Sequence, residues 1–390
     1  MGLKAEVRVH RRIAEIGRDA WDRCALAPER PVNPFIAFDF LDILEESGCA
    51  VEQAGWAPHH LAIEDQSGAV GAVMPLYLKS HSQGEYVFDH AWADAYERAG
   101  GRYYPKLVAA SPFSPVTGPR LLIRAGLDRQ AGQAALLDGA LTLCGRFGAS
   151  TLGVNFPTGE EWRFMGQRGL LLRQNQQYHW FNAGYGTFDD FLAALSSSRR
   201  KTIRRERREA AADLDIVRLT GADLRDEHWD AFFGFYMDTG SRKWGRPYLT
   251  RAFFSMLNER MADKVLLIMA RRGGRWIAGA INFLGSDAVY GRNWGALEHH
   301  PFLHFELCYY QAVEYAIQNR LARVEAGAQG EHKLMRGYMP VTTYSAHFIA
   351  NPALRRAVAE YLARERAYVR AASEELAAAA PFRKDLVDQE

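Results

Sequence analysis

A helix, a glycine-punctuated run of strands, a second helix and a further strand are written twice along this chain, and a repeated plan restricts the fold more than any single motif. In the first half, NPFIAFDFLDILEES (33–47) spaces its apolar residues helically, with Asn33 as a cap and Pro34 in the first turn. LAIED, a QSG turn and AVGAVMPLYLK (61–79) read as two tightly joined strands, with GEYVFDHAW (84–92) as a third. A helix over 128–147, a strand over 150–156 and a helix over 160–172 complete this half. In the second half, Thr187 stands three residues ahead of Asp190 and caps a helix that the serine triplet 196–198 can break in two. Thr250 opens RAFFSMLNERMA, and residues 265–296 read as a three-strand meander punctuated by Gly273-Gly274 and Gly285-Ser286. Gly71-Ala72-Val73 in the first meander overlays Gly279-Ala280-Ile281 in the second. The pattern predicts an internally duplicated α/β unit. A helix from Pro301 to about Arg320, a strand over 322–327, an amphipathic helix over 351–378 and a loose tail follow.

Composition excludes several classes. With 390 residues there is room for two or three domains, and 48% hydrophobic against 24% charged residues excludes wholesale disorder. No run approaches the ~18 apolar residues of a membrane span, and charges interrupt every apolar run near the N-terminus. The expectation is a soluble cytoplasmic protein with no integral membrane association. Cys24, Cys49, Cys144 and Cys308 form no C-x-x-C pair, which rejects a zinc ribbon or disulfide framework. His299, His300 and His304 cluster at a helix start, where Pro301 spoils helical ligand spacing, so no metal site is expected. The sequence contains no G-x-S-x-G elbow, Walker loop or dinucleotide fingerprint, which makes a serine hydrolase, a P-loop NTPase or a Rossmann dehydrogenase a poor reading.

The densest chemistry follows the strand 322–327. Glu325, Gln329, Glu331, His332, Lys333 and Arg336 fall within twelve residues, interleaved with Gly327, Gly330 and Gly337. Polar side chains on a glycine-permissive loop at the carboxyl end of a strand are where α/β proteins bind ligands. The segment continues into Tyr338, Tyr344 and His347. Glu306 and Glu314 sit among aromatics on the helix after Pro301, and strand alternation would put Tyr290, Arg292 and Trp294 on one face. Lys243-Trp244 and Pro247-Tyr248 make a weaker aromatic–basic loop, and the Gly-, Pro- and Ser-rich run 100–119 reads as an ordered loop lining a site. Between Arg199 and Arg208, seven of ten residues are basic in a chain whose net charge is only +2, so the segment reads either as a solvated helix face or as a phosphate-binding surface for a local anionic partner.

Several long segments resemble the FemAB-like predicted N-acyltransferases: LSSSRRKTIRRERREA, YLTRAFF, YGRNWG, HFELCYYQAVEYAI and VEAGAQGEHKLMRGYMPVTTYSAHFI, with NPFIAFDFL, GAVMPLYLK, GEYVFDHAWADAY, YYPKL and PFSPVTGPRLL in the amino half. The likeness extends over about residues 30–370. Such proteins are similar to the Fem peptidoglycan transferases, so the resemblance implies an α/β (α+β) fold of two tandem GNAT-like domains. Each would have a mixed, largely antiparallel sheet flanked by helices. The domains are expected at 1–182 and 183–372, the second carrying a basic helical arm at 196–209, with a tail at 373–390. The implied reaction moves an acyl or aminoacyl group onto the amine of a small molecule or peptide. Acyl-CoA and aminoacyl-tRNA both stay open as co-substrates, with no tightly bound cofactor, and the acyl-CoA motif Q/R-x-x-G-x-G/A is not matched. Glu325 or Glu306 is the expected amine-positioning base, while His332, Lys333 and Arg336 polarise the carbonyl or bind donor phosphate. Tyr290, Arg292, Trp294, Gln329, Tyr344 and His347 would line the groove, and Arg199, Arg200, Lys201, Arg204 and Arg205 would meet phosphate or tRNA. The non-enzymatic alternative is an RNA- or envelope-precursor-binding protein on the same fold.

Overall fold

The computed structural model describes residues 2–243, 247–328 and 330–383. The chain forms two compact units. One comprises Met1–Asn175 with Thr343–Arg370, the other Gln176–Thr342 with Ala371–Glu390. This division differs from a single cut after 182, because the chain returns to its first unit near the end.

In the first unit, strands Leu3–His10, His60–Asp65, Val70–Met74 and Leu122–Ile123 make one antiparallel sheet in that order. A second set of strands runs from Ser345–Ile349, antiparallel to Thr151–Asn155, to Lys106–Ala109, which is parallel to Thr151–Asn155. It continues antiparallel through Tyr77–Lys79 to Trp56–Pro58. Helix Arg129–Arg146 starts where Asp128 accepts a hydrogen bond from the Ala131 amide. Its buried residues Leu136, Leu137, Ala140, Leu143 and Cys144 recur at helical spacing and join Leu61, Ile63, Leu107, Leu152 and Val154 in one core.

The expected third strand at 84–92 is absent. Its alternation is present, with Glu85, Val87 and Asp89 buried and Tyr86 and Phe88 exposed. The inward row is charged, however, and it closes on an ammonium instead of a strand edge. Lys106 Nζ donates to Glu85 at 2.9 Å, to Ser82 at 2.8 Å and to Asp89. The chain then turns into helix His90–Arg98. The helix expected over 160–172 also ends early, at Gln167, and strand Leu171–Phe181 begins in its place. The run 33–47 is a short 3-10 turn, Pro34–Ile36, ahead of helix Phe38–Glu46.

In the second unit, strands Asp215–Leu219, Val265–Arg272, Arg275–Leu284 and Ala288–Ala296 pair antiparallel in sequence order. Gly273 and Gly274 make the first meander turn with φ of 55° and 80°, the double left-handed geometry that a two-residue hairpin requires. Ala288–Ala296 then pairs parallel with Arg323–Glu325, which lies antiparallel to the end of Leu171–Phe181. A helix over 303–318 makes the crossover. Among the described residues each unit thus contains a parallel pair reached through a helix, Lys106–Ala109 with Thr151–Asn155 and Ala288–Ala296 with Arg323–Glu325. That shared crossover is the physical content of the duplicated plan. The expected break at the serine triplet is also present. Helix Phe188–Ala194, closed by a Thr187–Asp190 capping box, is followed by a separate basic helix, Ser197–Ala210. Among the described residues, no helix is long and apolar enough to cross a membrane.

Candidate functional site

The parallel pair in the second unit is short, and its ending creates the site. Tyr290 opposite Glu325 is its last rung. Beyond it, Asn282 pairs with Gly291 while Ile281 pairs with Asn293, so Arg292 is the extra residue of a β-bulge. Strand Arg323–Glu325 ends its pairing with Ala288–Ala296 at the same level, while Ala326 and Gly327, whose φ is 75°, stay hydrogen-bonded to Tyr178 on the other side. The two strands therefore part just past Tyr290 and Glu325. The bulge also corrects the expected alternation. Tyr290 stands opposite Phe283 but Trp294 stands opposite Ala280, so inserting Arg292 sends Tyr290 and Trp294 to opposite faces.

Glu325 lies between Tyr290 on one neighbouring strand and His179 on the other. It is buried, and its Oε1 accepts from Arg323 Nε at 2.9 Å. Arg323 also pairs with Asp287 and donates to the Tyr290 hydroxyl at 3.3 Å. Among the described residues Oε2 of Glu325 has no hydrogen-bond partner, and it lies 3.8 Å from His179 Nε2. Burial holds the His179 imidazole below its ordinary pKa, against the pull of Glu325, so this ring is neutral at pH 7.

A 3-10 turn, Glu331–Arg336, comes next, flanked by Gly330 and Gly337 with φ of 101° and 85°. Lys333 is buried, and its Nζ donates to the Ala326 carbonyl at 2.5 Å and the Gly327 carbonyl at 3.3 Å. Its ammonium thus sits against the end of the Glu325 strand. Burial pushes its pKa down to about 8, and the charge of Arg292 acts in the same direction. His332 is exposed, with Nε2 3.1 Å from the Tyr309 hydroxyl. Partial burial of its ring and the charges of Arg336 and Lys333 hold it below its ordinary pKa. Trp294, His304 and Tyr309 extend this aromatic row, with ring centroids 5.1 and 5.4 Å apart in turn.

Arg336 and Glu306, both candidates from the sequence, are occupied by partners within the unit. Arg336 donates twice to Glu206 at 2.8 Å, donates to the His332 carbonyl at 2.8 Å, and lies 3.4 Å from the centre of the Phe305 ring. Glu306 takes three contacts of 3.0–3.2 Å from Arg207 and one of 2.7 Å from Gln311. It opens a π-helical turn, Glu306–Tyr310, inside the crossover helix. Arg207 and Arg218 both reach Glu314, at 2.9 and 2.7 Å. Glu306 is therefore engaged as an acceptor on both oxygens.

The basic helix buries Ile203, Glu206 and Ala210 and turns its other cations outward. Lys201, Arg204 and Arg205 are exposed, and Arg199 and Arg200 are half-buried. Arg204 pairs with Asp189 at 2.9 Å, and Arg205 lies 3.8 Å from Glu209 and 6.0 Å from the centre of the Phe302 ring. Tyr344 and His347 belong to the first unit. Tyr344 packs on Trp162 at 4.8 Å. His347 is buried against Trp92, bonded to Ser345 at 2.9 Å, and held by burial at a pKa of about 3. Gln329 and Trp244 lie outside the described residues.

Sequence reasoning missed His179, Arg323, Tyr309 and the inward role of Glu206. His179 and Arg323 reach Glu325 by strand register, which leaves no local trace. Glu206 did carry a signal, since an acid in helical register with Ile203 and Ala210 sits in the buried stripe and requires a partner.

A model of the FemAB-like family, described as peptidoglycan biosynthesis and recognition, matches residues 12–384. No match is found among curated proteins. Among solved structures, FemX shares 11% identity, covering 91% of this chain and 100% of its own with a TM-score of 0.55. A tandem GNAT protein from the clavulanic acid biosynthesis pathway shares 12%, covering 89% and 99% with a TM-score of 0.50. A C-terminal domain assigned to a lysylphosphatidylglycerol synthetase of Agrobacterium fabrum shares 10%, covering 89% and 96% with a TM-score of 0.53. At these identities the structural likeness is one of fold, and it is the fold whose crossover occurs once in each unit here. The family match spans nearly the whole chain, and by it the chain belongs to the FemAB-like family and is a transferase on the tandem GNAT fold.

Proposed function

We propose that this transferase moves an aminoacyl group from charged tRNA to the amine of a peptidoglycan-precursor peptide, and that the reaction takes place where the two strands part beyond Glu325. The observation that carries the proposal is that a buried lysine and a buried glutamate stand at one strand end. The buried Lys333 ammonium is anchored on the carbonyls of Ala326 and Gly327, the two residues that follow the buried Glu325, whose Oε2 lacks a hydrogen-bond partner among the described residues.

In the proposed reaction the acceptor amine gives up a proton and its nitrogen attacks the ester carbonyl. The C–N bond forms, the bond to the ribose oxygen breaks, and that oxygen takes up a proton. Glu325 holds the amine for attack, directly or through water, and Lys333 faces the negative charge that develops on the carbonyl oxygen. A charge held in a buried site acts more strongly there than it would in water. Arg336 and Glu306 serve as latches, since their own partners already engage them.

The choice of donor rests on the strand-to-helix connection. An acyl-CoA pyrophosphate needs a cradle of backbone amides before a helix, usually opened by glycines. Residues 297–302, LEHHPF, contain no glycine, and Glu298 lies there paired with Arg272 at 2.8 Å, with His300 at 3.1 Å and with Arg275. Those ion pairs, with no glycine to open the backbone, leave no amide cradle of that kind at the connection. Arg205 beside Phe302 and the outward cations of the basic helix offer a polyanion a continuous approach to the same connection.

The test is transfer of labelled amino acid to a muramyl-pentapeptide acceptor from charged tRNA and, separately, from aminoacyl- and acetyl-CoA. Uncharged tRNA and free CoA are the controls. Label transfer from charged tRNA alone, weakening steeply with salt, is the expected result. Transfer from CoA thioesters alone would overturn the donor assignment. Salt-sensitive tRNA binding with no transfer from any donor would favour the binding-protein reading.

A further inference from the structure

We infer that Glu206, the buried acid among the cations of the basic helix, is a positioning residue that sets the Lys333 turn, so that the helix proposed to meet donor phosphate also holds the catalytic loop in register. The inference rests on the proposed function for its activity readout and on geometry for the rest.

Glu206 is buried on the inner side of Ser197–Ala210 with Ile203 and Ala210. Its carboxylate takes both hydrogen bonds of 2.8 Å from Arg336 Nη2 and a further one from the Tyr310 hydroxyl. The other terminal nitrogen of Arg336, Nη1, donates to the His332 carbonyl, the residue immediately before Lys333. The guanidinium is held flat by Phe305 at 3.4 Å. A carboxylate on one helix thus fixes an arginine that in turn fixes the backbone beside Lys333. Gly330 and Gly337, both left-handed, bound this turn, and an ideal Cβ on Gly330 would fall 2.3 Å from the His332 ring. The turn has glycine hinges at both ends and an ion pair clamping its middle.

The next residue, Arg207, grips Glu306 and Glu314 on the crossover helix. Adjacent residues of one helix therefore hold both the π-helical turn and the Lys333 turn. A displacement of the basic helix, such as polyanion binding on its outer face could produce, reaches the Lys333 ammonium through a single guanidinium. Loss of the clamp frees the turn without removing any group from the outer cationic face. The expected signature is therefore a loss in turnover with tRNA affinity retained.

The experiment compares Glu206→Gln, Glu206→Ala and the exposed control Glu209→Ala in the full chain. Three readouts are used: kcat against the KM for charged tRNA, the pH profile of kcat, and the rate at which an amine-reactive reagent labels Lys333. Misplacing a charged group by about an ångström costs roughly a hundredfold. Glu206→Ala is expected to lose about that factor in kcat with KM within about twofold, and Glu206→Gln, which keeps one acceptor oxygen, to lose less. Lys333, hydrated in the loosened turn, should label several-fold differently from the wild type, and the alkaline limb of the profile should move to higher pH. Equal losses in kcat and tRNA affinity, or unchanged Lys333 labelling and an unmoved limb in a folded Glu206→Ala protein, would overturn the inference. If the wild type transfers from no donor, the proposed function fails, and the labelling comparison still decides whether Glu206 sets the turn.

Discussion

Lys333 and Lys79 are both buried lysines, and their surroundings assign them different work. Lys333 is anchored by carbonyls at a strand end, with its pKa lowered to about 8 by burial. In the proposed reaction it faces the developing oxyanion, and it loses its proton, and that effect, as pH rises past about 8. Lys333→Met is expected to lower turnover about a hundredfold or more. It should also abolish the alkaline limb near pH 8, and a pH–rate profile of the residual activity checks this. In the first unit, Lys79 lies 3.7 Å from the Trp56 ring centre and 4.0 Å from Glu85, whose closer partner is Lys106. Burial lowers its pKa to about 7. Between about pH 7 and the ordinary lysine value near 10.4, the unfolded chain binds a proton that folded Lys79 does not. Its contribution therefore makes stability rise with pH across that window. Lys79→Met should flatten this part of the profile, read as urea midpoints between pH 7 and 10, and equal slopes in both proteins would refute the assignment. Lys333 was legible in the sequence because it sits in a dense polar run after a strand. Lys79 reads as an ordinary strand-end lysine, and only the packing of Trp56 and the 82–89 loop over it reveals the burial.

At the scale of elements, periodicity recovered helices such as Arg129–Arg146, whose buried row is apolar, and it misled at 84–89, where that row is charged. Residues 84–89 alternate like a strand, yet Glu85 and Asp89 clasp Lys106 and no strand forms. The bulge at Arg292 escaped for a related reason, since nothing local in YGRNWG marks which residue is the extra one. What does show is glycine, and the second meander depends on it. An ideal Cβ on Gly295 would lie 2.2 Å from the Phe235 carbonyl oxygen, so helix Asp226–Lys243 packs on strand Ala288–Ala296 only because that position is bare. Gly234, exposed on the same helix, has nothing within 4 Å of its ideal Cβ. The two substitutions should move stability in opposite directions. Gly295→Ala forces backbone apart and should cost about 1–3 kcal/mol or more. Gly234→Ala improves helix propensity and should gain ~0.5–1 kcal/mol. Denaturant unfolding of both variants checks the pair, and a neutral Gly295→Ala would contradict the close approach.

For the whole molecule, the duplicated plan was legible because each unit repeats strand, helix and parallel strand. The return of the chain was not, because an amphipathic segment such as 351–378 looks the same whichever core it covers. Residues Thr343–Arg370 belong to the first unit. They supply Ser345–Ile349 against Thr151–Asn155 and bury Ala346, Ile349, Leu354, Val358 and Leu362. Leu354, Val358 and Leu362 join Trp92 and Tyr103 in one cluster. Burying a large aliphatic side chain is worth about 1.5–3 kcal/mol, so Ile349, Leu354, Val358 and Leu362 together contribute on the order of 6–12 kcal/mol. A domain's entire stability is about 5–15 kcal/mol. A fragment of residues 1–182 therefore lacks most of its margin, even though it contains the whole first copy of the plan. It is expected to show no cooperative unfolding transition and to expose apolar surface. Residues 1–175 joined through a flexible linker to 343–370 should regain a single transition, because the missing strand and helix then meet their own core. A cooperative transition in 1–182 within a few degrees of that of the joined chain would mean that the returning segment covers the unit without completing it.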